Sequence, residues 1–410
     1  MTFAAVLRRP DLPATTPLPR GLDVALAVAL AAYGFFIPFS VAGTSLMLAV
    51  LLLFVLACAP RVWRSRPWRE PTMAVGLVLF AWIGLHTLLI DGALRSLRMP
   101  LVSYKELLLA PMLFALFRLT SRPAWFFRAL VAGTLAWAAV SWSAVWSEHM
   151  ALVLGPHRIS ASFEFALLAF VLLEHGRRTA RPWPARIGAA FLALTVLFAM
   201  EGRTGQLIVL LLLAVSAWLH VPRRWRIAAL VLTPVLVAAL ALGSGAVQRR
   251  MAETTSAIEK PEQVPTTSTG IRVELVKHGL TLVREHWLLG AGFNHYSQLH
   301  QDAVRRAYAN DPVRREQYQS FWARTPNPHD EYVMQVVGGG VVSLALFLGW
   351  LAMPLLRRLP DGHHVPVLQG AVVAFAVGCL FNSLLLDFVE GHYYTALLAW
   401  LLAREATPRA

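Results

Sequence analysis

Charged residues are scarce in this chain. Asp, Glu, Lys and Arg make up only 15% of its 410 residues, whereas 57% of the residues are hydrophobic. A soluble domain carries about 25% charged residues, which it needs to cover its surface. The shortage excludes a set of soluble globular domains, and the high apolar content excludes a disordered chain. We therefore expect a polytopic helical membrane protein.

Cysteine is almost absent, and glycine shows no period. Two cysteines are too few for a disulfide scaffold, and glycines that do not recur at every third position exclude a collagen-like fibre. The net charge of +14 is typical of nucleic-acid-binding proteins, but basic cytoplasmic loops of a membrane protein give the same sum. The distribution of the charge along the chain therefore has to decide between them.

Apolar runs long enough to cross a bilayer recur along the whole sequence. A hydrocarbon core of about 30 Å needs roughly 17 to 25 apolar residues in a helix. Lipid offers the backbone no hydrogen-bond partners, and the runs lack the alternation of barrel strands, so each run is predicted to be helical. We predict about twelve transmembrane helices, near residues 21–38, 42–59, 72–91, 101–118, 125–147, 161–175, 186–200, 203–220, 226–245, 329–354, 365–386 and 390–403.

The arginines predict the orientation of these helices. Outside one long loop, most basic residues fall in every second connection, and such residues concentrate in cytoplasmic loops. Both termini fall in that set and are predicted to be cytoplasmic, so nucleic acid is not expected as a partner. The alternate connections, expected on the outer side, hold few basic residues: Arg95, Arg98, Lys105, Arg158 and Arg203.

The connection between the ninth and tenth spans is far longer than the others. It covers residues 246–328, and loops beyond about 15 residues are usually functional or folded. Thr269 is placed to cap a helix from Ile271 to Trp287, which Gly290 and Gly292 would end, and a second helix is predicted over about 297–309. The chain divides into spans one to nine (1–245), an outer, largely helical loop domain (246–328) and spans ten to twelve (329–410).

Ionisable residues lie at the outer ends of the predicted spans and leave the bilayer midplane nearly empty. Transporters usually place such residues near the bilayer centre, where they stabilise the transported charge. Most of the charged groups here are expected to be solvated span ends. The basic residues on the outer side run against the usual bias, however, and indicate an anionic partner at the outer membrane surface.

Three motifs carry candidate chemistry, and the first is Glu201-Gly202-Arg203-Thr204-Gly205-Gln206. It opens the eighth span, where an arginine between two glycines at a helix start can approach an anion closely. The alternative is an interfacial arginine that anchors a short turn.

The second motif is the predicted loop helix with Arg272, Lys277 and Arg284, followed by W-L-L-G-A-G-F at 287–293. Arginine suits phosphate because its planar fork donates two parallel hydrogen bonds. The alternative is a solvated basic face, which we expect for Lys277 and Arg284.

The third motif is P-N-P-H-D-E-Y at 326–332, followed by an apolar helix with Gly338-Gly339-Gly340. A histidine at the mouth of a membrane helix, here His329, can act as a general base near neutral pH. The alternatives are a capping or interfacial histidine, or a metal ligand with Asp330. A metal is disfavoured because no second histidine or carboxylate follows at ligand spacing on that helix.

The order of these motifs resembles the O-antigen ligase/O-antigen polymerase superfamily, and within it the O-antigen ligases (WaaL-type). The resemblance covers the twelve-span plan and is specific from about residue 200 to 345. The sequence departs from the pattern at Asp330, because Asn or Ser commonly follows the histidine in that family.

The resemblance implies a GT-C-like glycosyltransferase of the bacterial inner membrane with its active site facing the periplasm. The donor would be a glycan on undecaprenyl pyrophosphate and the acceptor the lipid A–core of lipopolysaccharide. Transfer would invert the sugar and need no metal or other cofactor. Arg203 and Arg272 would hold the pyrophosphate, His329 would be the general base, and further pyrophosphate contacts would come from Lys105, Arg95 and Arg158.

Three other functions remain open. An O-antigen polymerase shares the chemistry but uses a second lipid-linked glycan as acceptor. A protein O-oligosaccharyltransferase often carries an additional outer C-terminal domain, whereas this chain is expected to end within a few residues of its last span. A lipid-linked glycan flippase or other transporter would also be a basic twelve-span protein, but the empty midplane and the folded outer loop disfavour it.

Overall fold

The computed structural model describes most of the chain, and every regular element in the described part is a helix. The described residues are 12–13, 17–147, 150, 158–200, 202–228, 231–232, 235, 252, 255, 268–312, 315–316, 325–356 and 365–406. The prediction of an all-helical chain is confirmed for this part. The ninth predicted span and much of the long loop lie outside the described residues.

The helices follow the predicted apolar runs. The first half contains α1 (Arg20–Phe36), α2 (Val41–Ala57), α3 (Ala59–Arg64), α4 (Pro71–Asp91), α5 (Arg98–Ser103), α6 (Glu106–Leu119), α7 (Ala124–Ser141) and α8 (Ser143–Trp146). The second half contains α9 (Arg158–Gly176), α10 (Trp183–Leu194), α11 (Arg203–His220), α12 (Ser268–His286), α13 (Tyr296–Ala307), α14 (Glu331–Leu356), α15 (Val365–Gly378) and α16 (Phe388–Ala406). Within the described residues, a helix coincides with each of the other eleven predicted spans, and most of the ninth lies outside them.

Several of these helices can cross a bilayer by length and composition. Among the described residues, α4, α7, α9, α11 and α14 meet both conditions, which gives 5 spans. Two further pairs, α2 with the segment from Ala59 to Arg69 and the segment Leu94–Ser103 with α6, are bent by 80° and 58°, and they raise the number to 7 if each pair is one span. The chain is a multi-pass membrane protein.

Helix α9 lies at the centre of the second half of the fold. It packs against α10, α11 and α15, and 78% of its apolar 18-residue stretch is buried inside the protein. Helix α14 packs against α4, and α16 packs against α6. An aromatic core joins α14, α15 and α16, where the Phe375 and Tyr394 rings stack at 3.9 Å and Trp350 meets Phe375 edge-on at 6.0 Å. These contacts hold α9, α14 and α16 in one bundle.

Helix α15 is shorter than predicted. The apolar run to residue 386 predicts one continuous span, but the helix ends at Gly378 and a turn-rich loop over 379–387 leads to α16. The start of α14 holds this loop, because the Glu331 backbone N–H donates to the Cys379 carbonyl (2.8 Å) and the Leu385 N–H donates to Glu331 Oε2 (3.3 Å). The predicted boundary was wrong because these backbone groups find partners outside the helix.

Candidate active site

Arg203 is the first residue of α11, as the sequence predicts. The flanking glycines serve a different purpose from the one expected. A Cβ on Gly205 would lie 2.5 Å from the Cβ of Ser162 on α9, and a Cβ on Gly202 would also collide with the Ser162 side chain. The glycines therefore let α11 approach α9 closely, and this contact sets the position of Arg203.

Helix α12 carries Arg272 near its first turn. Leu275 and Leu282 are buried on its inner face, where Tyr308 OH donates to Glu274 Oε2 at 2.7 Å. Burial would raise the pKa of Glu274, but hydrogen bonds from His278 and Tyr308 hold this pKa below its usual value. An ionised Glu274 is a stronger acceptor, so the contact fixes α13 against α12.

The two other basic residues of the second motif lie elsewhere on the same helix. Lys277 Nζ lies 3.4 Å from Tyr308 OH and 5.4 Å from the centre of that ring. Arg284 is exposed. Both positions fit the expectation that these two side chains form a basic face outside the site.

The W-L-L-G-A-G-F segment is attached to the triple glycine of α14 by backbone hydrogen bonds. The Ala291 N–H donates to the Val337 carbonyl (2.7 Å), and the Gly292 N–H donates to the Gly338 carbonyl (2.9 Å). The helix is interrupted at Gly340, where φ is +70°. Since α12 leads into this segment and His329 precedes α14, the contact fixes Arg272 relative to His329.

Replacing Gly340 by alanine is expected to lower the apparent unfolding temperature in detergent and to abolish activity. A Cβ at Gly340 would overlap the Leu288 carbonyl and lie 2.7 Å from the Leu289 carbonyl carbon. The positive φ alone costs roughly 1–2 kcal/mol, and the overlap adds to this. Tryptophan fluorescence during heating measures the change.

Gly92→Ala is the matched control for this substitution. Gly92 also has a positive φ (+66°), but a Cβ there meets nothing within 4 Å. We expect the control to show only the backbone cost. Equal losses in the two variants would contradict a packing role for Gly340.

Arg203 and Arg272 line the same cavity, although they are far apart in the sequence. The cavity has a volume of about 520 Å³, within the range of small-molecule sites. Its walls come from α11, α12 and the 379–387 loop: Arg203, Thr204, Leu207, Arg272, Val273, Val276, Leu380 and Phe381. Two guanidinium groups therefore share a chamber whose other walls are mainly apolar.

His329 contacts the 379–387 loop, which forms one wall of this cavity. Its Nδ1 is 2.9 Å from Oδ1 of Asn382, the residue that follows the cavity residue Phe381. The His329 backbone has a φ of +51°, and its N–H donates to Asn327 Oδ1 at 3.0 Å. The helix cap comes from Asp330 instead, because its Oδ1 accepts from the Val333 N–H at 3.0 Å. His329 is therefore not needed to cap α14.

The hydrogen bonds of Asn382 assign the tautomer of His329. The Asn382 amide Nδ2 donates to Asp387 Oδ2 at 2.6 Å, so its oxygen faces the imidazole and Nδ1 of His329 must be the donor. The pKa of Asp387 is raised, mainly by burial and then by the charges of Glu390 and Glu331. A protonated Asp387 would still accept the Asn382 hydrogen bond through its carbonyl oxygen. The lone pair of neutral His329 is therefore on Nε2.

The three secondary basic residues do not line the cavity. Arg158 begins α9, and its carbonyl oxygen would lie 3.1 Å from a Cβ on Gly202, the residue before Arg203. Lys105 Nζ pairs with Glu106 Oε1 at 2.9 Å and lies 4.9 Å from the centre of the Phe388 ring. Arg95 is exposed next to Ser96, whose carbonyl accepts from Asn294. Of the predicted site residues, Arg203 and Arg272 line one cavity, and His329 contacts the loop that forms another wall of it.

Residues 188–348 match the family model described as O-antigen ligase (Wzy_C). This part of the chain is similar to the O-antigen ligases, and the matched residues are less than half of the chain. The match includes all three sequence motifs and ends within α14, so the resemblance seen in the sequence is confirmed over these residues. No curated protein matches the chain. The O-antigen ligase assignment therefore rests on the family model and on the order of the motifs.

Sequence reasoning did not find the role of the 379–387 loop. This loop supplies two cavity residues, Leu380 and Phe381, and the partner of His329. The polar pair Asn382-Ser383 inside an apolar run was the available signal, because such residues break a membrane helix unless their groups are paired. The candidate site therefore includes a segment that lies beyond the residues matched by the family model.

Proposed function

We propose that the protein is an O-antigen ligase that transfers a glycan from undecaprenyl pyrophosphate to the lipid A–core of lipopolysaccharide. The observation that carries the proposal is the shared cavity of Arg203 and Arg272, with His329 beside it. Transfer takes place at the periplasmic face of the inner membrane and inverts the sugar. It uses no metal ion.

The arginines suit the departure of the pyrophosphate. As the glycosidic bond to the pyrophosphate breaks, negative charge grows on the leaving group, and fixed cations stabilise that charge in the transition state. Guanidinium groups donate paired hydrogen bonds to phosphate oxygens. Arg203 and Arg272 approach from different helices, so they can hold the two phosphates from two sides. Arg158, Lys105 and Arg95 contribute to the potential from a greater distance.

The apolar walls suit a lipid-linked donor. Leu207, Val273 and Leu380 line the cavity and are also 40%, 57% and 49% exposed at its surface. A polyprenyl chain that lies along these side chains buries apolar surface, which contributes about 25 cal/mol per Å². The guanidinium groups would then meet the pyrophosphate where this chain ends.

His329 activates the acceptor. Its Nε2 lone pair takes the proton from the attacking hydroxyl of the core sugar, while Asn382 holds Nδ1 and fixes the ring. The sugar carbon then gains a bond to the acceptor oxygen from the face opposite the pyrophosphate, which inverts the configuration. The proton remains on the imidazole, and the pyrophosphate leaves with the bonding electrons.

The proposed topology follows the charge distribution of the sequence. It has twelve spans, both termini in the cytoplasm and residues 246–328 as a periplasmic domain between residues 1–245 and 329–410. Arg203 is the first residue of α11 and His329 lies just before α14, at what this topology makes the periplasmic ends of the two helices. Their juxtaposition at one cavity supports the same orientation for α11 and α14.

A reconstituted reaction tests the proposal. Purified protein, undecaprenyl pyrophosphate-linked glycan and lipid A–core are combined in detergent, and the products are separated on a gel. A shift of the core band is the expected result. A glycan ladder without acceptor identifies a polymerase, transfer to protein identifies an oligosaccharyltransferase, and translocation without covalent transfer identifies a flippase. Each of these three results would overturn the proposal.

The same reaction in excess EDTA tests whether glycan transfer requires a divalent metal ion. We expect the rate to be unchanged, because two arginines can take over the charge stabilisation that a divalent cation provides in other transferases. Protein dialysed against EDTA and then supplied with Mg²⁺ or Mn²⁺ is the control. Loss of transfer in EDTA with recovery on adding either ion would contradict the arginine mechanism.

A further inference from the structure

A second cavity lies at the other end of the same bundle. Helix α9 begins beside Gly202 at the first site and ends at Gly176, so its 19 residues separate the two cavities by roughly 28 Å. This cavity has a volume of about 190 Å³. It is lined by Phe127, Val171, Glu174, His175, Arg178, Thr179, Val367, Trp400, Leu401 and Arg404. It therefore lies on the membrane side opposite to His329.

The charged groups of this second cavity are mainly basic. Arg178 lines it from the turn after α9 and Arg404 lines it from α16, and both side chains are exposed. Glu174 is the one acidic residue among the described lining residues. Its Oε2 pairs with His220 Nε2 at 2.7 Å, and its Oε1 lies 3.5 Å from Arg177 Nε. The Glu174 carboxylate thus has partners other than the two lining arginines.

The remaining walls of the second cavity are aromatic and aliphatic. The Phe127 and Trp400 rings stack at 4.7 Å, and the Arg404 guanidinium lies 5.2 Å from the Trp400 ring. Aromatic side chains favour the boundary between lipid and headgroups, because one part of the ring system meets hydrocarbon while the other meets water. The cavity is smaller than a typical small-molecule pocket. Its volume suits a single charged group that is attached to chains lying outside the cavity.

We propose that the second cavity binds a phosphate group, carried by an anionic phospholipid of the leaflet opposite to the His329 site. Arg178 and Arg404 donate hydrogen bonds to the phosphate oxygens, and the acyl chains run along the outer surface of the bundle. Basic pockets between transmembrane helices are suited to such headgroups. The site is independent of the proposed glycosyl transfer, since none of its residues lines the first cavity.

Lipid-dependent stabilisation of the full-length protein tests this site. The purified protein in detergent is titrated with cardiolipin, phosphatidylglycerol, phosphatidylethanolamine or inorganic phosphate, and its apparent unfolding temperature is measured. Anionic lipids are expected to raise this temperature in a saturable manner, as any ligand of the native state does, whereas phosphatidylethanolamine is not. In Arg178→Gln/Arg404→Gln, half-saturation should require roughly tenfold more anionic lipid.

Two controls separate a defined site from general surface charge. Arg223→Gln/Arg224→Gln removes two exposed arginines that follow α11 at the same end of the bundle, and it should keep the wild-type titration. Arg178→Lys/Arg404→Lys keeps the charge and should restore part of the affinity. Stabilisation by inorganic phosphate alone would support the phosphate site but assign it to a soluble anion. Equal weakening in both glutamine variants, or an equal effect of phosphatidylethanolamine, would overturn the proposal.

Discussion

His329→Ala is expected to lower the rate of glycan transfer by about 10²–10⁴-fold, the usual contribution of a positioned general base. The variant loses the only imidazole that the Asn382 side chain holds beside the arginine cavity in the described part of the chain. Expression and membrane insertion should not change, because Asp330 rather than His329 caps α14. The initial rate of core modification with purified protein measures the effect.

His286→Ala is the matched control for this variant. His286 ends α12 in the loop domain and does not line the cavity, and its Nε2 lies 4.0 Å from Glu285 Oε2. We expect it to retain the wild-type rate. Asn382→Leu should reduce transfer less than His329→Ala does, because the base remains but its ring is no longer held. If His329→Ala keeps more than a tenth of the wild-type rate, the general-base assignment is wrong.

The sequence predicted the helices because membrane burial imposes a strong and simple pattern. Runs of apolar residues without charge mark the spans, and the helices α4, α11 and α14 begin within a few residues of the predicted positions. Helix ends were harder to predict where the sequence stays apolar beyond the helix. The apolar run after Gly378 predicts a membrane helix, but the chain forms a loop there, and the Glu331 side chain accepts a hydrogen bond from the Leu385 N–H of this loop. Such tertiary hydrogen bonds leave no periodic signal.

The candidate site was partly predictable for a related reason. Arg203, Arg272 and His329 stand in short motifs whose residue types suit an anion or a proton transfer, so the sequence indicates them as candidates although each also has a structural alternative. From the sequence, Gly202 and Gly205 were linked to the approach of an anion and Gly340 was given no role, whereas Gly205 meets Ser162 and Gly340 meets Leu288. A sequence shows that a glycine is present but not which neighbour approaches it. Contacts between distant segments therefore had to come from the structure.

Arg272→Ala and Arg203→Ala are each expected to lower glycan transfer by about 10²–10³-fold, the range observed for loss of one fixed donor to a developing oxyanion. Arg272→Lys should lose most of this activity as well, because an ammonium group cannot make the paired contacts of a guanidinium group. Each variant should also bind undecaprenyl pyrophosphate more weakly, which is measured as a higher inhibition constant for this product.

Arg284→Ala provides the matched control, since it removes an exposed arginine from the same helix as Arg272. It should keep both the rate and the inhibition constant. The double variant Arg203→Ala/Arg272→Ala decides whether the two arginines act on one ligand. Residues that contact a shared group are coupled, so the double loss should differ from the product of the two single losses. Independent effects, with unchanged binding of undecaprenyl pyrophosphate in either single variant, would mean that the shared cavity is not the pyrophosphate site.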